Sequence, residues 1–307
     1  MVLKENLKKL LSIYSIMMKN ITGHDLFKKH DFDTIFSELY NLYRKNFLTL
    51  FIYSLIGILI LQLGIVWLGF NKAEMLTIMQ DNYSQPSMDY VGTLLLIVLG
   101  SLIIYTLIHV FITYFIMARQ ENPSITPLEA LGASIRKYLI NYLILVIIII
   151  LMMVIGAIVG VLALIIGSFL AVLYLGTSLF ISGTILIAEN TNPFDSISRS
   201  FKLSHKDFWY TLGLVVVFVL ILFVINLILS AIIAIPGAVV FFQKIFSADN
   251  VSNLTSAGMS EFYNFGIIAV ILSSIINALI VPLTPLFAIL VYYRLRFIEK
   301  ENSEPNH

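Results

Sequence analysis

Apolar residues in this chain come in long blocks separated by short charged stretches. A bilayer core of about 30 Å needs about 20 apolar residues per helix. The first block runs from about Phe47 to Phe70 and the second from about Tyr90 to Ala118. The third, Tyr138 to Ala188, is continuous, and from Leu143 to Gly167 it carries no polar side chain. As one helix it would be about 75 Å long at 1.5 Å per residue, so it must fold back into two spans. The reversal is expected near Gly156–Gly160 or near Gly167–Ser168, glycine being the usual residue for a tight turn. The fifth span is predicted over about Trp209 to Ile235, stopping at Pro236–Gly237, with an apolar patch at 238–246 as a short interfacial or re-entrant helix. The sixth covers about Asn264 to Tyr293, with Pro282 and Pro285 as kinks.

The polar stretches have a pattern of their own. In residues 1–46, Leu3, Leu7, Leu10, Leu11, Tyr14 and Met18 recur at helical spacing opposite Lys4, Lys8 and Lys9, which predicts an amphipathic helix. Thr126-Pro127-Leu128-Glu129 precedes the third span, and Asn192-Pro193-Phe194-Asp195 precedes the fifth. Each places an N-cap residue, a proline at the first helical position and an acid in the first turn. Asp31-Phe32-Asp33 precedes the first span without the proline. Apolar stripes follow each start: Phe32, Ile35, Phe36, Leu39 and Leu42; Leu128, Leu131 and Ile135; Phe194, Ile197 and Phe201. The unit is an interfacial helix followed by a transmembrane hairpin, repeated three times in parallel. Phe32, Ile35, Leu128, Phe194, Ile197 and Phe201 are expected to face lipid at the headgroup layer.

Composition sharpens this picture. Charged residues are 12% of the 307, against roughly 25% in soluble domains. With no cysteine, disulfides, thiolate catalysis and cysteine-ligated metals are excluded. A net charge of +1 gives no field for nucleic acid. The lysine-rich N-terminus does not read as a signal peptide. Of the 19 Lys and Arg residues, all but Lys72 and Lys244 fall on one side of a six-span arrangement. That side is expected to be cytoplasmic, and both termini lie on it. The bias holds only if the third block crosses twice.

The stretch from Asn192-Pro-Phe-Asp-Ser-Ile-Ser-Arg-Ser-Phe to Trp209-Tyr-Thr-Leu-Gly-Leu, with Val291-Tyr-Tyr-Arg-Leu-Arg near the end, resembles the membrane domain of glycerophosphoryl diester phosphodiesterases and related bacterial inner-membrane proteins. Ser196 stands where that family tends to have Ala, and Arg294 where it tends to have Asp. The resemblance implies a six-helix membrane domain. It does not imply catalysis, because in those enzymes a separate soluble barrel carries the metal site, and no polar stretch here is long enough to be one.

No Lys, Arg, Asp or Glu lies inside a predicted span, which argues against an ion-coupled pathway. Ser101, Tyr105, His109 and Thr113 share one face of the second span. Together with Gln62, Asn226 and Asn277 they read first as interhelical hydrogen-bonding groups, and otherwise as an intramembrane polar site. Gly156-Ala-Ile-Val-Gly160 has the spacing for close helix packing, unless it is the turn itself. His24-Asp25 and His30-Asp31 fit no standard zinc spacing.

The expectation is an all-α integral membrane protein of six transmembrane helices in three hairpins, each preceded by a cytoplasmic interfacial amphipathic helix. Residues 1–46 form a cytoplasmic N-terminal segment, 47–293 the membrane domain and 294–307 a cytoplasmic tail. The expected function is non-catalytic, with membrane lipids or another protein as partner, no nucleic acid, and no cofactor or metal. A transporter of an uncharged or lipidic substrate is the alternative.

Overall fold

The computed structural model describes residues 23–68, 88–162, 164–247 and 266–303. The amphipathic stretch expected between Leu3 and Met18 lies outside these residues. The described elements are helices: α1 (Phe32–Trp67), α2 (Met88–Glu121), α3 (Pro127–Val161), α4 (Leu164–Leu179), α5 (Ser182–Ala188), α6 (Pro193–Ser204), a 3-10 turn (His205–Asp207), α7 (Phe208–Ser247), α8 (Gly266–Ile280) and α9 (Leu283–Glu301). Among the described residues there is no strand. Six helical stretches are long and apolar enough to cross a membrane, the fourth formed by α4 with α5 and the sixth by α8 with α9. The protein is an all-α integral membrane protein, with six candidate spans among the described residues.

Several boundaries differ from the sequence expectation. α1 and α3 run without a break from their polar starts into the span, because nothing between residues 32 and 67, or between 127 and 161, removes a backbone donor. At 36 and 35 residues they are each over 50 Å long, by about 1.5 Å per residue. The polar first turns therefore extend beyond a hydrocarbon layer of about 30 Å. Among the described residues only α6 is a separate helix before its span. The reversal between the third and fourth spans falls between Val161 and Leu164, between the two expected sites. Gly156 and Gly160 serve packing instead. A Cβ on Gly156 would collide with Leu175, and one on Gly160 would sit 2.5 Å from the Ser168 Cα. The Ser168 hydroxyl donates to the Ala157 carbonyl at 2.6 Å across this contact.

α7 does not stop at Pro236–Gly237 but continues to Ser247, absorbing the 238–246 patch. Membrane helices tolerate such an interior proline because the freed carbonyl finds other partners. Pro282 does mark a break, where α8 gives way to α9.

The chain forms two compact units. The first takes residues 1–47, 109–217 and 283–307. Its hub is α9, in which every residue from Leu286 to Arg296 is buried. A helix enclosed all round must be apolar or have its polar groups satisfied, and α9 does both. A second core joins Val110, Tyr138, Tyr142, Leu145, Leu186 and Ile187. There Gly183 lets α5 approach α3 so closely that a Cβ would strike the Tyr142 hydroxyl. The second unit takes residues 48–108 and 218–282. Apolar side chains such as Ile60, Leu95, Val98 and Phe223 stand exposed on it. In a spanning bundle that surface suits lipid.

Of the expected tail, the described residues 294–303 are mostly helical. Helix α9 carries residues 294–301 as its last two turns, and Arg294, Arg296, Ile298 and Glu299 are buried there. A charged stretch stays inside only when its charges find partners, and those partners define the site below.

Candidate functional site

Glu189 closes α5. Asn190 follows with φ of 50°, a left-handed conformation that Asn tolerates better than most residues. The Thr191 amide then reaches back to the Leu186 carbonyl at 3.2 Å. This is the Schellman way of ending a helix, and it aims the Glu189 carboxylate back at α6 and α9.

Asn192 starts α6 by accepting from the Asp195 amide at 2.9 Å. Proline at the first helical position fixes the entry. One turn and a half later Arg199 extends between two acids. Its Nη1 and Nη2 donate to the two oxygens of Glu299 at 2.8 and 2.5 Å, and its Nε donates to Glu189 at 3.2 Å. Arg296 Nη1 donates to Glu299 at 3.0 Å and lies 3.2 Å from Glu189. Lys206 stands 3.4 Å from Glu299, and the Tyr292 hydroxyl donates to Glu189 at 3.2 Å. Two carboxylates are thus held by three cations and a phenol. Bidentate guanidinium–carboxylate pairs are the strongest of these contacts. Arginine stays charged inside a protein, so the arrangement fixes geometry rather than moving protons.

A second knot lies beside it. Arg294 Nη2 donates to Asp207 at 2.6 Å, its Nε donates to the His30 carbonyl at 2.9 Å, and its guanidinium sits 3.8 Å from the Tyr210 ring centre. His24 Nδ1 and the Tyr293 hydroxyl are 2.7 Å apart. Burial holds both His24 and His30 below the ordinary histidine pKa; Glu121 and Asp25 oppose the effect at His24, as the Leu26 carbonyl and Glu38 do at His30. All these groups belong to the first unit. They sit where the fourth and sixth spans end and the fifth begins, which a six-span chain places on one side of the membrane.

The expected polar residues are not assembled this way. His109 is half-buried on α2 in the first unit. Tyr105, Gln62, Asn226 and Asn277 belong to the second unit, where no hydrogen bond joins any two of them. Asn277 donates to the Ser273 carbonyl of its own helix at 2.8 Å, and Asn226 is exposed.

The expected lipid-facing set divides. Phe32, Leu128 and Phe194 are exposed, at 40%, 71% and 69%. Ile35 is fully enclosed at 0%, a correction to its expected place in the headgroup layer. Ile197 packs on the core around Tyr138 and Tyr142. The Phe201 ring stacks on His205 at 6.0 Å and meets Tyr174 at 6.3 Å. The apolar stripes therefore turn partly inward, toward the protein rather than the lipid.

The ion network was missed because Arg294, Arg296 and Lys206 read as orientation charges. One signal pointed to it. In a chain with few acids, Glu189 sits at the end of an apolar span, and Glu299 lies three residues after Arg296. No family model matches the chain, and no curated protein or solved structure matches it either.

Proposed function

We propose that this protein works without catalysis in the cell membrane, binding anionic lipid at one face, which the charge bias identifies as the cytoplasmic face. The observation that carries the reading is a set of exposed basic residues without an acidic partner among the described residues. They are Arg44 and Lys45 on α1, Arg136 on α3 and Lys202 on α6. Four acids of the same stretches have other partners: Glu129 and Asp195 in helix starts, Glu189 and Glu299 in the network. Exposed apolar side chains accompany these cations, with Tyr40 one turn from Arg44, Ile140 one turn from Arg136, and Phe194 on the same helix as Lys202. Basic residues at a headgroup layer each gain about 1 kcal/mol from anionic lipid, and aromatic rings settle at the same depth.

The test is native mass spectrometry of the purified protein, released from micelles doped with phosphatidylglycerol or with phosphatidylcholine. The native chain is expected to retain the anionic lipid preferentially. The R44Q/K45Q/R136Q/K202Q variant is expected to lose that preference while keeping its unfolding midpoint. Equal retention of both lipids by the native chain, or an undiminished preference in the variant, would sink the reading.

A further inference from the structure

Residues 23–31 have no regular secondary structure, yet Leu26 and His30 are buried. The segment lies across α9, with contacts at four places. His24 meets Tyr293 at 2.7 Å, and Phe27 packs on Phe297 with ring centres 5.6 Å apart. The His30 carbonyl accepts from Arg294 at 2.9 Å, and Lys29 pairs with Glu301 at 3.2 Å. A segment without regular secondary structure is drawn from the low-stability end of a structure.

His30 is the unusual member. Its Nε2 lies 3.0 Å from the Leu26 carbonyl, and a carbonyl only accepts, so Nε2 carries the hydrogen. The other ring nitrogen, Nδ1, is buried and has no hydrogen-bond partner. A proton added there would create a buried donor with nothing to receive it, on a ring only 1% exposed. It would also set a positive charge near Arg294, one of whose terminal nitrogens is itself buried without a partner. Lys28 adds repulsion and Glu38 opposes it, while Glu38 is also ion-paired with Lys28. On the far side of Arg294, Asp207 and Tyr210 already occupy the guanidinium. His24 differs. Its partner is a hydroxyl that can give or take the hydrogen bond, and Glu121 and Asp25 favour its charged form.

We propose that residues 23–31 are an acid-released strap over the C-terminal helix, with His30 as the trigger. Protonation of His30 undocks the strap and uncovers Tyr293 and Arg294. The direction follows from linkage. Burial depresses the docked His30 below its ordinary value of 6.5, so the undocked segment binds the extra proton. Docking is at full strength above that range. It weakens as pH falls below it, the undocked-to-docked ratio rising by at most about tenfold per pH unit for one proton.

The absence of cysteine makes a labelling test clean. Spin labels are placed on Gly23→Cys and Ser303→Cys in the full-length protein, and the distance between them is measured by pulsed electron resonance at pH 8 and pH 5. One narrow distribution is expected at pH 8, with a second, longer and broader population at pH 5. In His30→Gln, whose amide can keep the bond to Leu26, the pH 8 distribution is expected at both pH values. Identical native distributions at the two pH values overturn the proposal. So does a pH response that persists in His30→Gln, or a His30→Gln chain undocked at pH 8. The lipid reading above stands or falls separately.

Discussion

The starts of α3 and α6 belong to the same unit and carry nearly the same signals, yet they become different objects. Counted from Pro127 and Pro193, the burial register matches. Leu128 and Phe194 are exposed at the second position, and Ala130 and Ser196 are buried at the fourth. Ser134 and Ser200 are buried at the eighth. α1 follows the same register from Phe32, with Ile35 and Leu39 inside at the fourth and eighth positions. That is why Ile35 does not meet lipid. The difference lies at the seventh position, where α3 has Ala133 and α6 has Arg199. α3 runs on for 35 residues, while α6 ends after 12 at a 3-10 turn. Start signals decide where a helix begins. Here a single long-range ionic anchor accompanies the helix that stops.

The most direct way to break the comparison is to make the two helices alike at that position. Arg199→Ala leaves the buried Glu299 and the half-buried Glu189 with fewer counter-charges; removing one partner of a fully buried pair costs about 3–5 kcal/mol, an upper bound for the half-buried Arg199. A large drop in the unfolding midpoint in detergent is expected. Arg136→Ala, at an exposed residue of α3 with no ion pair among the described residues, is expected to stay within about 0.5 kcal/mol. Similar losses for the two variants would mean that the network adds no net stability. A smaller effect is expected at the matched serines. Ser200 donates to the Ser178 carbonyl of a different helix at 2.6 Å, whereas Ser134 donates to Leu131 of its own turn at 2.9 Å. Ser200→Ala is expected to cost roughly 1–2 kcal/mol, because it removes the short bond to a buried carbonyl. Ser134→Ala is expected to cost less. A reversed order in the same unfolding assay would place the anchoring of α6 elsewhere.

The fold was legible because hydropathy is a sum over many residues, and six spans emerge whatever the details. The starts at Thr126 and Asn192 were legible because capping is local. Two things were not. The apolar stripes gave a face but not a direction, since protein interior and lipid accept the same side chains; Phe194 went one way and Ile197 the other. The ionic site depends on Glu189, Arg199 and Glu299, which are 10 and 100 residues apart. No periodicity links them. His109, the one histidine that drew attention inside a span, lies outside this network. His24 and His30, which fit no standard zinc spacing, are held against the C-terminal helix.

The finest comparison concerns the caps themselves. Thr126 forms a full capping box: its hydroxyl accepts from the Glu129 amide at 3.3 Å, and its own amide donates to the Glu129 carboxylate at 3.0 Å. Asn192 accepts from the Asp195 amide and donates from its side chain to the Asp195 carboxylate at 2.6 Å. Replacing either cap by alanine removes one accepted hydrogen bond at a helix start, a loss of about 1 kcal/mol. If α6 is set apart by its ionic anchor, Thr126→Ala and Asn192→Ala should shift the unfolding midpoint by nearly equal amounts. If it is set apart by its start, Asn192→Ala should cost several times more, because a 12-residue helix has few other internal bonds to hold it. Equal shifts are expected, since Arg199 lies about two turns beyond the cap and its carboxylate partners belong to other segments.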